Sequence, residues 1–298
     1  MRTAPRSFRV FRGAEGVQAA LGPSVVAFGK FDGVHLGHRA LLERAAAAGR
    51  RLGLPHGAVT FERHPYAHLR GGAVPPMLTG LGDKLRLLCE AGAQFVVLFP
   101  TDATVLGLAA EDFARDVLRD RMGVRLVVVG DNFRFGRGGS GGIGTLRRLV
   151  SVTGLDGVEI GMVSIGDEVA SATRIREHLA RSDVASAADL LGRPYEVLGR
   201  LDGAGSRAAV VVSAARAVPA PGKYRGSVES RRSATRRSNA LITVDQPTGG
   251  SHRLKVAWPE GGSLDNAGGG AVRVTFEDRA QQLARAYDQR ERAMKRSR

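Results

Sequence analysis

Cysteine is almost missing from this chain of 298 residues; Cys89 is the only one. No intrachain disulfide can form, so the fold has to rest on packing and hydrogen bonds. Cys89 itself sits in the helical pattern from Lys84 to Cys89 and is expected to pack in a core. Long apolar runs are missing too. No uninterrupted apolar segment approaches the roughly 18 residues that span a bilayer. Met1 to Val10 also lacks the apolar region of a secretory leader. The expectation is a cytoplasmic protein with no membrane partner. Acidic residues are scarce beside basic ones, 29 against 44, which leaves a formal charge of +15. Such an excess attracts polyanions. The basic residues are concentrated locally, however, in Arg225 to Arg237 and in the tail from Arg279 to Arg298. No zinc-finger spacing, RNP-like aromatic motif or basic heptad region accompanies them. A solvated basic face, or attraction to anionic small molecules, is favoured over specific nucleic-acid binding. Oligomeric state is not readable.

What is present is organised around one stretch, Gly29-Lys30-Phe31-Asp32-Gly33-Val34-His35-Leu36-Gly37-His38. The apolar run Ser24 to Phe28 reads as a buried strand, breaks at glycines, and gives way to the helical pattern Arg39 to Ala45. Two histidines three residues apart at a helix start share a face, where free backbone N–H groups and the helix dipole favour an anion. Gly37 between them removes side-chain bulk, so a nucleotide can lie against the backbone. An isolated pair would more simply be solvated or structural histidines; the strand, turn and helix around this one favour a phosphate cradle.

Strand and helix patterns alternate onward. Phe8 to Phe11 alternates like a short strand, and Gly16 to Leu21 reads as a connector. Gly57 to Phe61, Phe95 to Phe99, Leu126 to Val129 and Val158 to Ile165 read as strands, with helices ending near Gly53 and Gly92 and another around Glu111 to Leu118. This alternation predicts a parallel sheet. Gly130 to Arg137 follows one such strand. Phe133 and Phe135 there serve either to close a core or to stack on a ligand, Asn132 can both donate and accept, and Arg134 can meet phosphate. Gly138 to Gly142 reads as a mobile loop beside it. Further on, Ser171 and Thr173 suit a helix N-cap. Arg174 and Arg176 at that already positive end make better sense beside an anion. From Glu196 the texture becomes short β-like runs, Val197 to Leu201, Ala208 to Val212, Leu241 to Val244, His252 to Trp258 and Ala271 to Phe276, as in a small barrel, with a final helix from Arg279 to Lys295.

The His35-x-Gly37-His38 pattern after a strand resembles the nucleotidylyltransferase superfamily. The longer Gly29 to His38 resembles the signature of the adenylyltransferase module of bacterial FAD synthetases, proteins that usually carry a C-terminal riboflavin kinase module. Thr60-Phe61-Glu62-Arg63-His64-Pro65 resembles that family's TFDPHP, with Glu62 and Arg63 in place of Asp and Pro. Gly130 to Gly136 resembles its flavin-holding segment, and Ser171 to Arg176 its ISSTxxR, with Ala172 for the second serine. The resemblance implies a Rossmann-like nucleotidylyltransferase domain over 1–195, then a small β-barrel with a C-terminal helix over 196–298. It implies catalytic roles for His35, His38 and Arg176. Nucleotide or phosphate contacts would come from Gly29, Phe31, Asp32, Gly33, Gly37, Ser171, Thr173 and Arg174. Flavin contacts would come from Phe61, His64, Pro65, Asn132, Phe133, Arg134 and Phe135. ATP and FMN are the implied substrates, with Mg²⁺ carried on ATP and no protein metal site.

Pro221 to Gly226 and Leu241 to Thr248 resemble kinase segments, yet the kinase's Pro-Thr-Ala-Asn loop occurs nowhere in the chain. Lys255 falls near where its catalytic Glu belongs, and a cation cannot take a proton from a riboflavin hydroxyl. The expected activity is FMN adenylylation without riboflavin phosphorylation. The alternatives are nucleotidyl transfer to a modified flavin or another specialised metabolite, and a slow flavin-binding or regulatory protein.

Overall fold

The computed structural model describes residues 8–64, 74–153, 156–203, 208–230, 237–247, 250–258 and 270–279. Pro65 and the C-terminal helix expected from Arg279 to Lys295 lie outside them, apart from Arg279 itself. Among the described residues no helix is long and apolar enough to cross a membrane. The chain forms two compact units, one of 1–75 with 81–169, the other of Pro76–Gly80 with 170–298.

In the first unit the elements run β1 (Arg9–Arg12), α1 (Val17–Leu21), β2 (Ser24–Phe28), α2 (Leu36–Leu52), β3 (His56–Phe61), α3 (Leu81–Glu90), β4 (Phe95–Phe99), α4 (Ala110–Asp112, carried on as helical Phe113–Arg121), β5 (Val124–Gly130), α5 (Ile143–Thr153) and β6 (Asp156–Ile160). The strands pair in the order β1-β4-β3-β2-β5-β6, every pair parallel. Helices cover both faces of such a sheet, so its inner strands are apolar throughout, and β2 and β4 are buried at every residue. Successive side chains serve opposite faces. Val25 and Ala27 pack with Leu41, Leu42, Leu88 and Val128, while Val26 and Phe28 pack with Phe95, Phe113, Leu118 and Val127. Each such Val, Leu or Phe contributes about 1.5–3 kcal/mol through burial. The segment from Gly16 to Leu21 contains helix α1 rather than a plain connector, its buried Val17 joining the second of these clusters. Cys89 on α3 is half-buried, not a core residue.

The chain starts the sheet's centre at β2, moves to β3 and β4 on one side, and crosses back to add β5 and β6 on the other. The order therefore reverses between β2 and β5, and ligands of open α/β sheets sit at the carboxyl ends of the strands flanking such a reversal. The expected strand from Val158 to Ile165 divides. β6 ends at Ile160, and Ser164–Ile165 instead pairs antiparallel with Glu168–Val169. The glycines after Arg137 are tied down rather than left as an open loop. Phe135 and Gly141 exchange backbone hydrogen bonds of 3.0 and 2.9 Å, and a Cβ on Gly141 would come within 2.4 Å of the Ala110 Cβ.

The second unit contains α6 (Ala172–Ala180), α7 (Val184–Leu191) and a closed antiparallel barrel of β9 (Tyr195–Asp202), β10 (Ala209–Ser213), β11 (Gly222–Ser230), β12 (Arg237–Val244), β13 (Ser251–Ala257) and β14 (Ala271–Arg279), with β7 (Ser164–Ile165) and β8 (Glu168–Val169) being the short hairpin just described. β11 carries no apolar run and was not expected as a strand. It pairs with β12 and β14, and its Gly226 is required there because a Cβ would lie 1.9 Å from the Thr275 carbonyl oxygen. Pro76–Gly80 is held by this unit. Met77 N–H donates to Ala215 O (2.8 Å), Arg216 to Thr79 O (3.0 Å) and Arg176 Nε to Pro76 O (2.6 Å).

Candidate active site

Three turns meet at the carboxyl edge of the first unit's sheet because β3, β2 and β5 are neighbours. The turn after β2 begins with Gly29 N–H still donating to Val59 O (3.2 Å), so it leaves the sheet in register. It then takes three consecutive-looking kinks with positive φ, at Phe31 (51°), Gly33 (81°) and Val34 (41°). Two of these residues are not glycine and are strained in that region. What holds them is burial: Phe31 and Val34 are driven into the core under α2, and Asp32 is buried between them.

That turn delivers His35 as the N-cap of α2, in extended conformation (φ −70°, ψ 175°), with its ring buried. His35 and His38 rings stack at 3.7 Å and 27°, and Phe31 closes the other side of His38 at 5.0 Å. The first-turn N–H groups of a helix have no partner inside it, so the stacked imidazoles lie beside an anion-seeking backbone. The buried Nδ1 of His38 has no hydrogen-bond partner among the described residues. Burial, then the nearby His35, Lys84 and Lys30, hold the His38 pKa well below the ordinary histidine value. It is neutral at neutral pH, with one nitrogen to donate and one to accept.

This has a consequence for stability. The unfolded chain protonates this histidine at about 6.5, and the folded one only at lower pH, so the unfolded state binds the extra proton as pH falls. Stability contributed by a neutral His38 is complete above that value and is lost below it. Thermal melts from pH 7.5 to 5.5 are expected to show a falling Tm, and His38→Gln is expected to flatten the fall.

The edge beside the histidines is aromatic. Phe28 ends β2, Phe61 ends β3 and Phe133 follows β5; Phe28 lies 6.0 Å from Phe61 and 5.0 Å from Phe133 by ring centroid. Phe135 stacks on Phe133 at 5.4 Å but is itself buried against Phe113, so it supports Phe133 from the core side, and Phe133 is the half-exposed ring. Asn132 and Arg134 are exposed at this turn. His64 is buried beyond Phe61, and Glu62 is paired with Arg12 of β1. Gly37 lies in the first turn of α2.

Ser171, Thr173, Arg174 and Arg176 belong to the second unit, on and before α6. Ser171 Oγ caps that helix by accepting from Arg174 N (3.2 Å), Arg174 pairs with Glu177 (2.7 Å), and Arg176 donates to the Pro76 carbonyl. Among the described residues no three His, Cys, Asp or Glu side chains converge as a metal cage.

Two residues were missed in sequence. Thr60 Oγ1 donates to Lys30 O (3.0 Å), tying β3 to the histidine turn, and Lys84 Nζ donates to Phe61 O (2.9 Å). Lys84 shares a helix stripe with the buried Leu87 and Leu88, and a lysine at an apolar position of an amphipathic helix is the signal that pointed to it.

Relatives carry the same combination. The bifunctional riboflavin kinase/FMN adenylyltransferase of Escherichia coli strain K12 is 35% identical over 194 residues, 65% of this chain and 62% of that protein, so the match spans less than two thirds of the relative's length. The corresponding Haemophilus influenzae protein is 30% identical over 193 residues, 65% of this chain and 63% of that one. A putative bifunctional riboflavin kinase/FMN adenylyltransferase of Geobacillus thermodenitrificans is 35% identical over 171 residues, 57% of this chain and 90% of that one. The crystal structure of a macrolide-efflux protein from Streptococcus pneumoniae shares the fold with a TM-score of 0.74 at 23% identity, over 95% of this chain and 97% of that one. The FAD synthetase family model matches residues 17–174, which contain the stacked histidines, the aromatic edge and the Asn132 turn. On that match, the chain belongs to the FAD synthetase family.

Proposed function

We propose that the protein is an FMN adenylyltransferase, converting ATP and FMN to FAD and pyrophosphate. A phosphate oxygen of FMN attacks the α-phosphorus of ATP, the bond to the β-phosphate breaks, and pyrophosphate leaves with the electron pair. Phosphate is already an adequate nucleophile, so the residues have to position two anions and stabilise charge on the leaving group. The observation that carries this reading is the adjacency of the stacked His35 and His38 after β2 to the Asn132–Phe133 turn after β5, at one sheet edge. His38, neutral and with a buried nitrogen still open, is suited to meet the phosphates, helped by the α2 N-terminus. Phe133 and Phe61 offer a face for an isoalloxazine ring, and Asn132 offers donor and acceptor to its edge. Arg176 is assigned to the triphosphate, and Mg²⁺ enters as part of the Mg-ATP substrate, whose phosphate oxygens chelate it.

In this reading residues 1–195 are the transfer module and 196–298 a kinase-derived barrel that no longer phosphorylates riboflavin. Lys255, at the position expected for a catalytic carboxylate, lies on β13 with its Nζ 2.8 Å from Asp245, which makes it half of an ion pair instead of a base. The test is direct. Protein incubated with Mg-ATP and either FMN or riboflavin, with products separated by chromatography, is expected to give FAD from FMN and no FMN from riboflavin. FMN formed from riboflavin overturns the kinase assignment. No FAD from FMN overturns the transferase assignment and directs attention to other acceptors.

A further inference from the structure

Lysine is almost never fully buried unless something holds it. Lys84 is 2% exposed, on the stripe of α3 that also buries Leu87 and Leu88. Its Nζ is 2.9 Å from the carbonyl oxygen of Phe61, the last residue of β3. The same end of β3 is joined to the histidine turn twice more. Gly29 N–H donates to Val59 O, and Thr60 Oγ1 donates to Lys30 O. Three ties therefore hold the end of β3, two of them to the strained turn that presents His35 and His38. Only the third brings a full charge, and that charge acts on His38 together with His35 and Lys30.

We propose that Lys84 is a positioning residue of the phosphate cradle: an interior cation that locks the end of β3 beside the histidine turn and supplies part of the positive field in which the pyrophosphate group settles. A charge fixed inside the protein is screened less than one on the surface, so a single buried ammonium outweighs several exposed arginines at the same distance. Its hydrogen bond to a backbone carbonyl satisfies one of three protons and leaves the charge undiminished. A methionine of similar length keeps the packing of the stem against Leu87 and Leu88 and removes both the tie and the charge; arginine keeps the charge.

The proposal rests on the adenylyl-transfer reading for its substrate, but its test needs no flavin. Binding of Mg-pyrophosphate at pH 7.5 is measured by titration calorimetry for wild type, Lys84→Met and Lys84→Arg. Lys84→Met is expected to bind at least about tenfold more weakly and Lys84→Arg within about threefold of wild type, the size of one lost charge-assisted interaction. In the FAD assay the same loss appears as a raised KM for ATP with the KM for FMN nearly unchanged. Equal pyrophosphate affinity in wild type and Lys84→Met overturns the proposal. Should Lys84→Met fail to fold, the side-chain ¹⁵N signal of Lys84 in the wild type, assigned by its loss in Lys84→Arg, decides instead: it is expected to move on adding pyrophosphate, and an unmoved signal overturns the proposal. Wild type that binds pyrophosphate but makes no FAD refutes the functional reading separately, while the Lys84 comparison still stands or falls on affinity.

Discussion

His38→Ala is expected to lower kcat/KM for FAD formation by about 10²–10³-fold, the range for deleting one preorganised donor at a centre of developing charge, or about 2.7–4 kcal/mol. The ring is held on both faces, by His35 at 3.7 Å and Phe31 at 5.0 Å, so it does not have to be ordered when substrate arrives. Being neutral before binding, it carries no counter-charge that must be displaced, and the approaching phosphates raise its affinity for a proton as negative charge grows on the leaving group. The fold should survive. His38 is half-buried at the start of a long helix, where alanine is a good helix former. Stopped-time FAD assays with circular dichroism on the same sample check both statements; near-wild-type turnover removes His38 from the mechanism. Arg176→Ala is expected to fall in the same direction, through loss of a cation assigned to the triphosphate.

The second large effect is on stability. Gly57→Ala is expected to destabilise the first unit by about 3 kcal/mol or more, at the upper end of overpacking effects. Gly57 pairs with Phe95 across β3 and β4, and a Cβ there would sit 2.3 Å from the Phe95 carbonyl oxygen and 2.7 Å from its Cγ. The nearest obstacle is backbone, so no rotamer change relieves it, and the two strands have to separate beneath the aromatic edge. For a unit of this size that corresponds to a Tm lowered by roughly 6–12 °C. Gly82→Ala is the control: it lies exposed in α3 with nothing within 4 Å of the added carbon, and it is expected to leave the Tm unchanged or slightly raised. Equal melts for the two variants would contradict the account of β3 packing.

Four of the parallel strands were legible within two residues at each end, because buried strands of a covered sheet are uninterrupted apolar runs bounded by glycine and polar residues. The histidine turn was legible for a similarly local reason, a strand breaking at glycines into a helix. β11 was not, since its apolar content is low and its place comes from pairing with β12 and β14 on either side. α1 was not, since five residues give too little periodicity to read. Glycines 138 to 142 were read as slack when their neighbours are used for close contact with Ala110. Phe133 and Phe135 are a matched pair in sequence, and only the fold separates them into a half-exposed ring and its buried support.

By itself, then, the sequence determined the kinds of elements, the phosphate-seeking character of Gly29 to His38, and the family the chain resembles, since all three reside in local order and residue type. The tertiary structure decided which motifs are neighbours. The reversal of strand order between β2 and β5 sets the Asn132 turn beside the histidines although about a hundred residues separate them, and the pairing of β3 with β2 brings Phe61, Thr60 and through them Lys84 to the same edge. Pairing order depends on contacts between distant segments, each worth little until the whole sheet is assembled, and no window of sequence contains that information.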